Sequence, residues 1–351
     1  MKAVVYRGPA TIAIEDRPIP ALAGPRDAIV KVTATAVCGT DLHPYRGELP
    51  QFEAGTVLGH EFAGTVVETG EQVPYVVGQR VFASDVIACG RCAACARGMH
   101  YHCASAGLFG SSTLVGAAVD GGQAEYVRVP FADVVLHPTP EDVSDEQALF
   151  VGDILSTAYA GVRAAGIRPG DTVAVVGAGP VGVLAAACAR VAGAAEVVLA
   201  DPDPRRRNSP VGRVVEPHQL SQAARELTDG WGAHAVIEAV GSPSALRGAI
   251  DAVAPKGTVA AIGVHHADAA PFPSNTAFAK EATLRFVVGD PLVVREPVLA
   301  LIRAGLIDPT MVISHRLPLS SAAEAYALFD AREATKVVLT TTDSPPTATG
   351  R

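Results

Sequence analysis

Asp171-Thr172-Val173-Ala174-Val175-Val176-Gly177-Ala178-Gly179-Pro180-Val181-Gly182 is the stretch that decides the architecture of this chain. Thr172–Val176 is apolar or β-branched throughout, which predicts a strand buried on both faces of a parallel sheet. It runs into glycines spaced G-x-G-x-x-G, and Pro180–Ala192 then reads as a helix. That glycine pattern is weak alone but acquires meaning between a strand and a helix. Gly177 permits the tight turn, Gly179 lets backbone approach a pyrophosphate, and Gly182 lets helix and strand pack closely. The helix start offers unpaired N–H groups to phosphate, and Pro180 loses no hydrogen bond in the first turn. Asp201 ends the next strand, 19 residues after Gly182. A carboxylate there accepts from ribose hydroxyls and repels a 2′-phosphate, so the expected cofactor is NAD. Arg205, Arg206 and Arg207 keep NADP open, because guanidinium groups can welcome that phosphate.

Outward from this turn, short apolar runs recur between helical stretches: Glu196–Ala200, Arg213–Val215, Ala233–Val240, Gly257–Val264 and Thr283–Val288. This alternation predicts a doubly wound α/β domain. Residues 1 to about 150 differ, with short alternating runs such as Ala28–Ala34 and Gly64–Thr69 that read as strands. Ala148–Ala165 reads as a helical connection, and strand and helix patterns return after the sheet. The expected layout is a β-rich domain (1–154), an inserted α/β domain (155–290), a return to the first domain (291–340) and a disordered tail (341–351).

The chain has 351 residues, 49% hydrophobic and 18% charged, with a net charge of −8. Such composition supports a sizeable core and excludes disorder. It argues against nucleic acid as a partner, which calls for clustered Lys and Arg. No membrane span is expected, because Val181–Ala200, the richest apolar stretch, is broken by Arg190 and Glu196. The amino terminus shows no signal peptide, so a cytoplasmic setting with reduced thiols is expected.

Four of the six cysteines, Cys89, Cys92, Cys95 and Cys103, follow the spacing C-x2-C-x2-C-x7-C. In a reducing compartment such crowding reads as a closed tetrahedral Zn²⁺ shell, structural because no coordination position stays open. His100 and His102 within this lobe read as solvated loop histidines, and Cys188 as a small buried hydrophobe.

The sixth cysteine, Cys38, lies in Val37-Cys38-Gly39-Thr40-Asp41-Leu42-His43; Gly59-His60-Glu61 follows, and much later Val151-Gly152-Asp153. Singly, each has an ordinary packing explanation. Together with the cysteine lobe and the glycine turn, in order over about residues 1–340, they resemble the zinc-dependent medium-chain alcohol dehydrogenase family. The resemblance implies a Rossmann domain inserted in a GroES-like catalytic domain. It also implies two zinc ions per chain, with Cys38, His60 and Asp153 as catalytic ligands. Many members carry cysteine where this chain has Asp153; the charge balance is the same, but the carboxylate is a harder donor. Glu61 is implied as a residue beside the metal or a transient ligand. Thr40 and His43 match the proton relay, and an imidazole pKa of about 6.5 suits that task. Thr157, Val181, Arg206, Gly263 and Val264 match positions bordering the dinucleotide.

The implied reaction transfers hydride between a primary or secondary alcohol, or a polyol, and NAD, giving an aldehyde or ketone. A homodimer or homotetramer is implied, with the edge strand Thr283–Val288 available for pairing with its copy. The chain departs from the family after Asp201, where Asn208-Ser209-Pro210 interrupts the usual second helix. Two other readings compete with it: a nucleotide-binding regulator that kept the fold without the chemistry, and a zinc-independent reductase of quinones or enones. The presence of Cys38, Thr40, His43, His60 and Asp153 disfavours both.

Overall fold

The computed structural model describes residues 1–265 and 271–341. The tail expected at 341–351 lies, from 342 onward, outside the described residues. Two compact units form. One comprises Met1–Asp153, Asp290–Arg295 and the described residues from Ile313; the other comprises Ile154–Gly289 and Glu296–Val312. Glu296–Val312, read from the sequence as part of the return segment, thus groups with the α/β unit.

The α/β unit is built on six parallel strands: Thr172–Val176, Glu196–Ala200, Arg213–Val215, Ala233–Glu238, Val253–Ala261 and Thr283–Phe286. Their spatial order is third, second, first, fourth, fifth, sixth, the doubly wound Rossmann arrangement. Thr172–Val176 is buried at every position, as its uninterrupted apolar run requires. Pro180–Val191 buries eight of its residues, starting at Gly182. The order reverses beside the first strand, so ligand is expected at the carboxyl ends of the first and fourth strands.

One difference from the sequence reading lies at the end of the fourth strand. The fourth strand stops at Glu238, because the Glu238 carboxylate takes the N–H groups of Val240 and Gly241 at 2.8 Å each. Between the second and third strands there is no α-helix, only a 3-10 turn at Pro204–Arg206, capped by Asp203, which accepts from Arg205 N at 3.0 Å.

In the other unit, the ten-residue strand Ala28–Val37 anchors a seven-stranded sheet. It pairs antiparallel with Phe62–Thr69 and, through its last residues, with Val337–Thr340. The register sets Val37 opposite Val337 and Thr35 opposite Phe62. One end of the sheet therefore gathers Cys38 leaving one strand with His60, Glu61 and Lys336 preceding its two neighbours. The helical connection expected at Ala148–Ala165 is two helices, Asp145–Val151 and Ile154–Ala165. Gly152 lies at the break: a Cβ there would meet Ala83 O at 2.0 Å, and its own carbonyl accepts from Asp85 N at 3.0 Å. That close approach leads the chain into Asp153.

Candidate active site

Cys38 caps the short helix Gly39–Tyr45. The third helical residue, Asp41, accepts from Cys38 N at 2.9 Å, completing a capping box with cysteine in the place usual for serine or threonine. Cys38 Sγ stands 3.5 Å from Asp153 Oδ2, which stands 3.3 Å from His60 Nε2. A tetrahedral zinc with S, N and O ligands at ordinary bond lengths has S···O and N···O edges of roughly 3.5 and 3.3 Å. The three donors thus fit one face of such a shell and leave its fourth vertex open. Cys38 and His60 are buried, and Asp153 nearly so.

Electrostatics also favour a cation here. Burial pushes the Cys38 thiol up, and the Asp153 charge adds to the effect. Burial works to lower the His60 imidazole, but Asp41 and Cys38 carry it well above its usual value. Burial works to raise the Asp153 carboxyl, yet the bond and charge of His60 bring it below its usual range. Anionic donors converging on one imidazole favour positive charge at their centre.

Four residues around this site, Asp41, Lys336, Tyr101 and Asp85, escaped the sequence reading. Asp41 Oδ1 lies 3.3 Å from His60 Nδ1, orienting the ring so that Nε2 faces the donor cluster. The capping-box spacing from Cys38 was the available signal, hidden by the unusual cap residue. Lys336 Nζ bonds Glu61 Oε2, and both side chains are almost wholly buried; burial raises the Glu61 carboxyl to about 7, opposed by the Lys336 charge. Tyr101 donates its hydroxyl to Asp85, whose carboxyl is raised well above its usual range by burial and the nearby Asp153 charge. No sequence signal pointed to the last two pairs.

Thr40 Oγ1 is 4.0 Å from Cys38 Sγ. His43, half-buried on the same short helix, pairs through Nδ1 with Glu48 Oε2 at 2.5 Å.

Cys89, Cys92, Cys95 and Cys103 converge as a second cluster, with all four sulfurs within 4.8 Å of one another. Cys92 Sγ lies 3.5 Å from Cys95 Sγ and 3.8 Å from Cys103 Sγ. The edge of a zinc–tetrathiolate shell is about 3.8 Å, so these donors also fit. The N–H groups of Cys95 and Ala104 lower the Cys92 thiol to about 6, favouring the thiolate that a metal takes. All six cysteines are free. His100 departs from the expected solvated state: its Nδ1 lies 2.9 Å from Asp290 Oδ2, and its side chain is 12% exposed.

In the α/β unit, Gly177 adopts φ +98° at the end of the first strand. A Cβ on Gly182 would meet Gly177 O at 2.0 Å, so the close packing of turn and helix requires glycine. Gly179 caps the helix whose first residues are Pro180 and Val181. Asp201 Oδ2 accepts from Ala178 N at 2.9 Å, tying the second strand's end to the glycine turn, and from Arg206 Nη1 at 3.0 Å. Arg205 pairs with Asp203 at 2.7 Å, and Arg207 with Glu216. Each of the three arginines therefore has a carboxylate partner. Gly263 and Val264 follow the fifth strand, where a Cβ on Gly263 would meet Gly241 N at 2.1 Å; Val264 is exposed. Parallel strands bring these turns to one edge of the sheet. Thr157, half-buried on Ile154–Ala165, lies against Gly289, which follows the sixth strand.

Known proteins share this combination. Residues 24–140 match the family model for the alcohol dehydrogenase GroES-like domain, and residues 180–303 that for the zinc-binding dehydrogenase. The "Probable zinc-binding alcohol dehydrogenase" of Mycobacterium tuberculosis is 38% identical over 336 residues, covering 95% of this chain and 86% of its own. The solved alcohol dehydrogenase of Thermus sp. ATN1 is 39% identical with a TM-score of 0.92, covering 97% of this chain and 99% of its own. A protein from Sinorhizobium meliloti 1021, solved with NADP bound, is 30% identical with a TM-score of 0.84, covering 97% and 98%. A GroES-like domain together with a Rossmann sheet defines a medium-chain dehydrogenase/reductase. The chain belongs to the zinc-dependent medium-chain alcohol dehydrogenase family.

Proposed function

We propose that this enzyme transfers hydride between a small primary or secondary alcohol, or a polyol, and NAD, with two zinc ions per chain. Cys38, His60 and Asp153 would hold the catalytic ion, and Cys89, Cys92, Cys95 and Cys103 the structural one. The observation that carries the reading is the set of 3.3 and 3.5 Å separations among Cys38 Sγ, His60 Nε2 and Asp153 Oδ2. Zinc in such an open site acts as a Lewis acid that lowers the pKa of an alcohol. Thr40 Oγ1 would accept the alcohol proton while releasing its own, which leaves by way of His43, with Glu48 holding the Nδ1 of that ring. Asp41 keeps His60 Nε2 aimed at the donors. The Gly177–Gly182 turn takes the pyrophosphate on the helix amino terminus. Asp201 takes the adenosine ribose, with Gly263 and Val264 at the same sheet edge.

NAD is favoured over NADP because Arg205, Arg206 and Arg207 are each paired with a carboxylate. The global charge of −8 opposes an anionic dinucleotide, so its attraction is local. The partner is a small-molecule substrate; among the described residues, no helix is long and apolar enough to cross a membrane. Six free thiols support a cytoplasmic setting. Exposed Phe278, Phe286 and Val288 around the edge strand Thr283–Phe286 support a homodimer or homotetramer.

Elemental analysis of purified protein should return two zinc ions per chain, and an alcohol panel should give alcohol-dependent NADH absorbance. Full turnover by zinc-stripped protein would overturn the reading.

A further inference from the structure

Lys336 is the only lysine among the described residues with a side chain as little as 1% exposed. It precedes the strand Val337–Thr340, while Glu61 precedes Phe62–Thr69. The two strands flank Ala28–Val37 on opposite sides, so Nζ and the Glu61 carboxylate meet at the end from which Cys38 emerges. Glu61 has little freedom in its backbone: its carbonyl accepts from Thr35 Oγ1 at 2.7 Å and Ala36 N at 3.2 Å. Its side chain is lopsided. Oε2 is bound by Lys336, but Oε1 is buried with no hydrogen-bond partner. Lys336 Nζ also sits 5.7 Å from the Phe150 ring centroid, in the helix leading towards Asp153.

Unpaired buried carboxylate oxygens are costly and seek a cation. On the zinc-site reading above, a cation would sit beside His60, the residue next to Glu61, with one ligand vertex open. Cys38 and Asp153 already balance a divalent ion; a third anionic ligand would make the centre net negative and occupy the substrate position. Moving Glu61 there would also strip Lys336 of its counter-ion inside the fold, which is unfavourable for a buried charge.

We propose that Lys336 is a positioning residue that tethers Glu61 by Oε2 and so keeps the fourth zinc vertex open for substrate. It acts through Glu61 and touches no reacting atom. The inference rests on Cys38, His60 and Asp153 holding zinc.

The test uses cobalt-substituted holoenzyme titrated with imidazole, which occupies an open metal vertex and perturbs the cobalt d–d bands. Lys336→Met should weaken imidazole binding at least tenfold and slow zinc transfer to a chelator at least tenfold, because Glu61 closes the vertex. Lys336→Arg should retain wild-type imidazole binding. The double variant Lys336→Met/Glu61→Gln should regain it, since no anion remains to close the vertex. If the buried Met compromises folding, Lys336→Gln serves instead, keeping a hydrogen bond without the charge, and should also weaken imidazole binding. A folded Lys336→Met or Lys336→Gln protein with wild-type imidazole affinity and zinc release would overturn the tether. A wild-type enzyme whose cobalt bands do not respond to imidazole would instead overturn the zinc-site reading beneath it.

Discussion

Asp41 lies 3.3 Å from His60 Nδ1 while its other carboxylate oxygen receives Cys38 N at 2.9 Å, so one side chain fixes two donors of the candidate zinc site. Gln123 and Tyr326 extend the network: Gln123 Nε2 donates to the same Asp41 oxygen at 3.3 Å, and Tyr326 donates to Gln123 Oε1 at 2.9 Å. Asp41→Asn keeps much of the cap but loses the charge and can present N–H instead of oxygen to His60. Zinc affinity at this site should fall about 10- to 100-fold, the usual cost of losing such a partner. Chelator competition, with the four-cysteine ion as internal control, measures it; unchanged affinity would remove Asp41 from the metal's support.

This partner marks where sequence reading stopped. Thr172–Val176 and the glycines after it were legible because one short segment carries both strand and turn chemistry. The four-cysteine lobe was legible for the same reason, with all its donors within Cys89–Cys103. Lys336 and Glu61 are 275 residues apart, and only the pairing of two strands against Ala28–Val37 brings them together. Tyr101 and Asp85 likewise meet through folding of the lobe, which neither residue announces. The break at Gly152–Asp153 inside an apparent helix follows from the close approach of Ala83 O, a tertiary contact without a local motif.

Replacing Cys95 should separate the roles of the two candidate metal sites. Its sulfur is buried against Ala88 and Cys103, with Leu292 packed on the same cluster. Cys95→Ala opens the tetrathiolate shell, and binding energy that contributes to folding is lost with the ion. Zinc content should fall from two to one per chain, and thermal unfolding should shift down by roughly 2–4 °C for each kcal/mol lost. Calorimetry with metal analysis checks both. A variant with two zinc ions and an unchanged Tm would deny the lobe its structural role.

Asp203 gives a pH dependence of defined sign. Its hydrogen bond from the Arg205 side chain lowers the carboxyl to about 2, helped by Arg205 N. An unfolded aspartate titrates near 3.9, so the folded pKa is depressed. The stabilisation is therefore present above about pH 4 and is lost as pH falls towards 2. Because Arg205 is half-exposed, the contribution should stay within about 1 kcal/mol. Urea unfolding of Asp203→Asn against wild type should show a gap at pH 6 that narrows at pH 3. A gap of constant size would mean that the carboxylate's charge is not what holds the turn.

Cofactor choice should turn on Asp201, because it is the carboxylate that engages both the glycine turn and Arg206. Its bonds to Ala178 N and Arg206 Nη1 keep negative charge where a 2′-phosphate would approach. Asp201→Asn halves that argument by keeping hydrogen-bonding capacity while removing the charge and releasing Arg206 from its ion pair. The KM for NAD should rise about tenfold, equivalent to roughly 1.4 kcal/mol, while that for NADP should fall. Arg206→Ala in the same background should then cancel the gain with NADP, because the guanidinium freed from Asp201 is the group that could pair with the phosphate. Steady-state kinetics of the three proteins with both cofactors at saturating alcohol supply the six KM values. If Asp201→Asn weakened NAD and NADP equally, the carboxylate would only be supporting the turn, and selectivity would have to lie elsewhere.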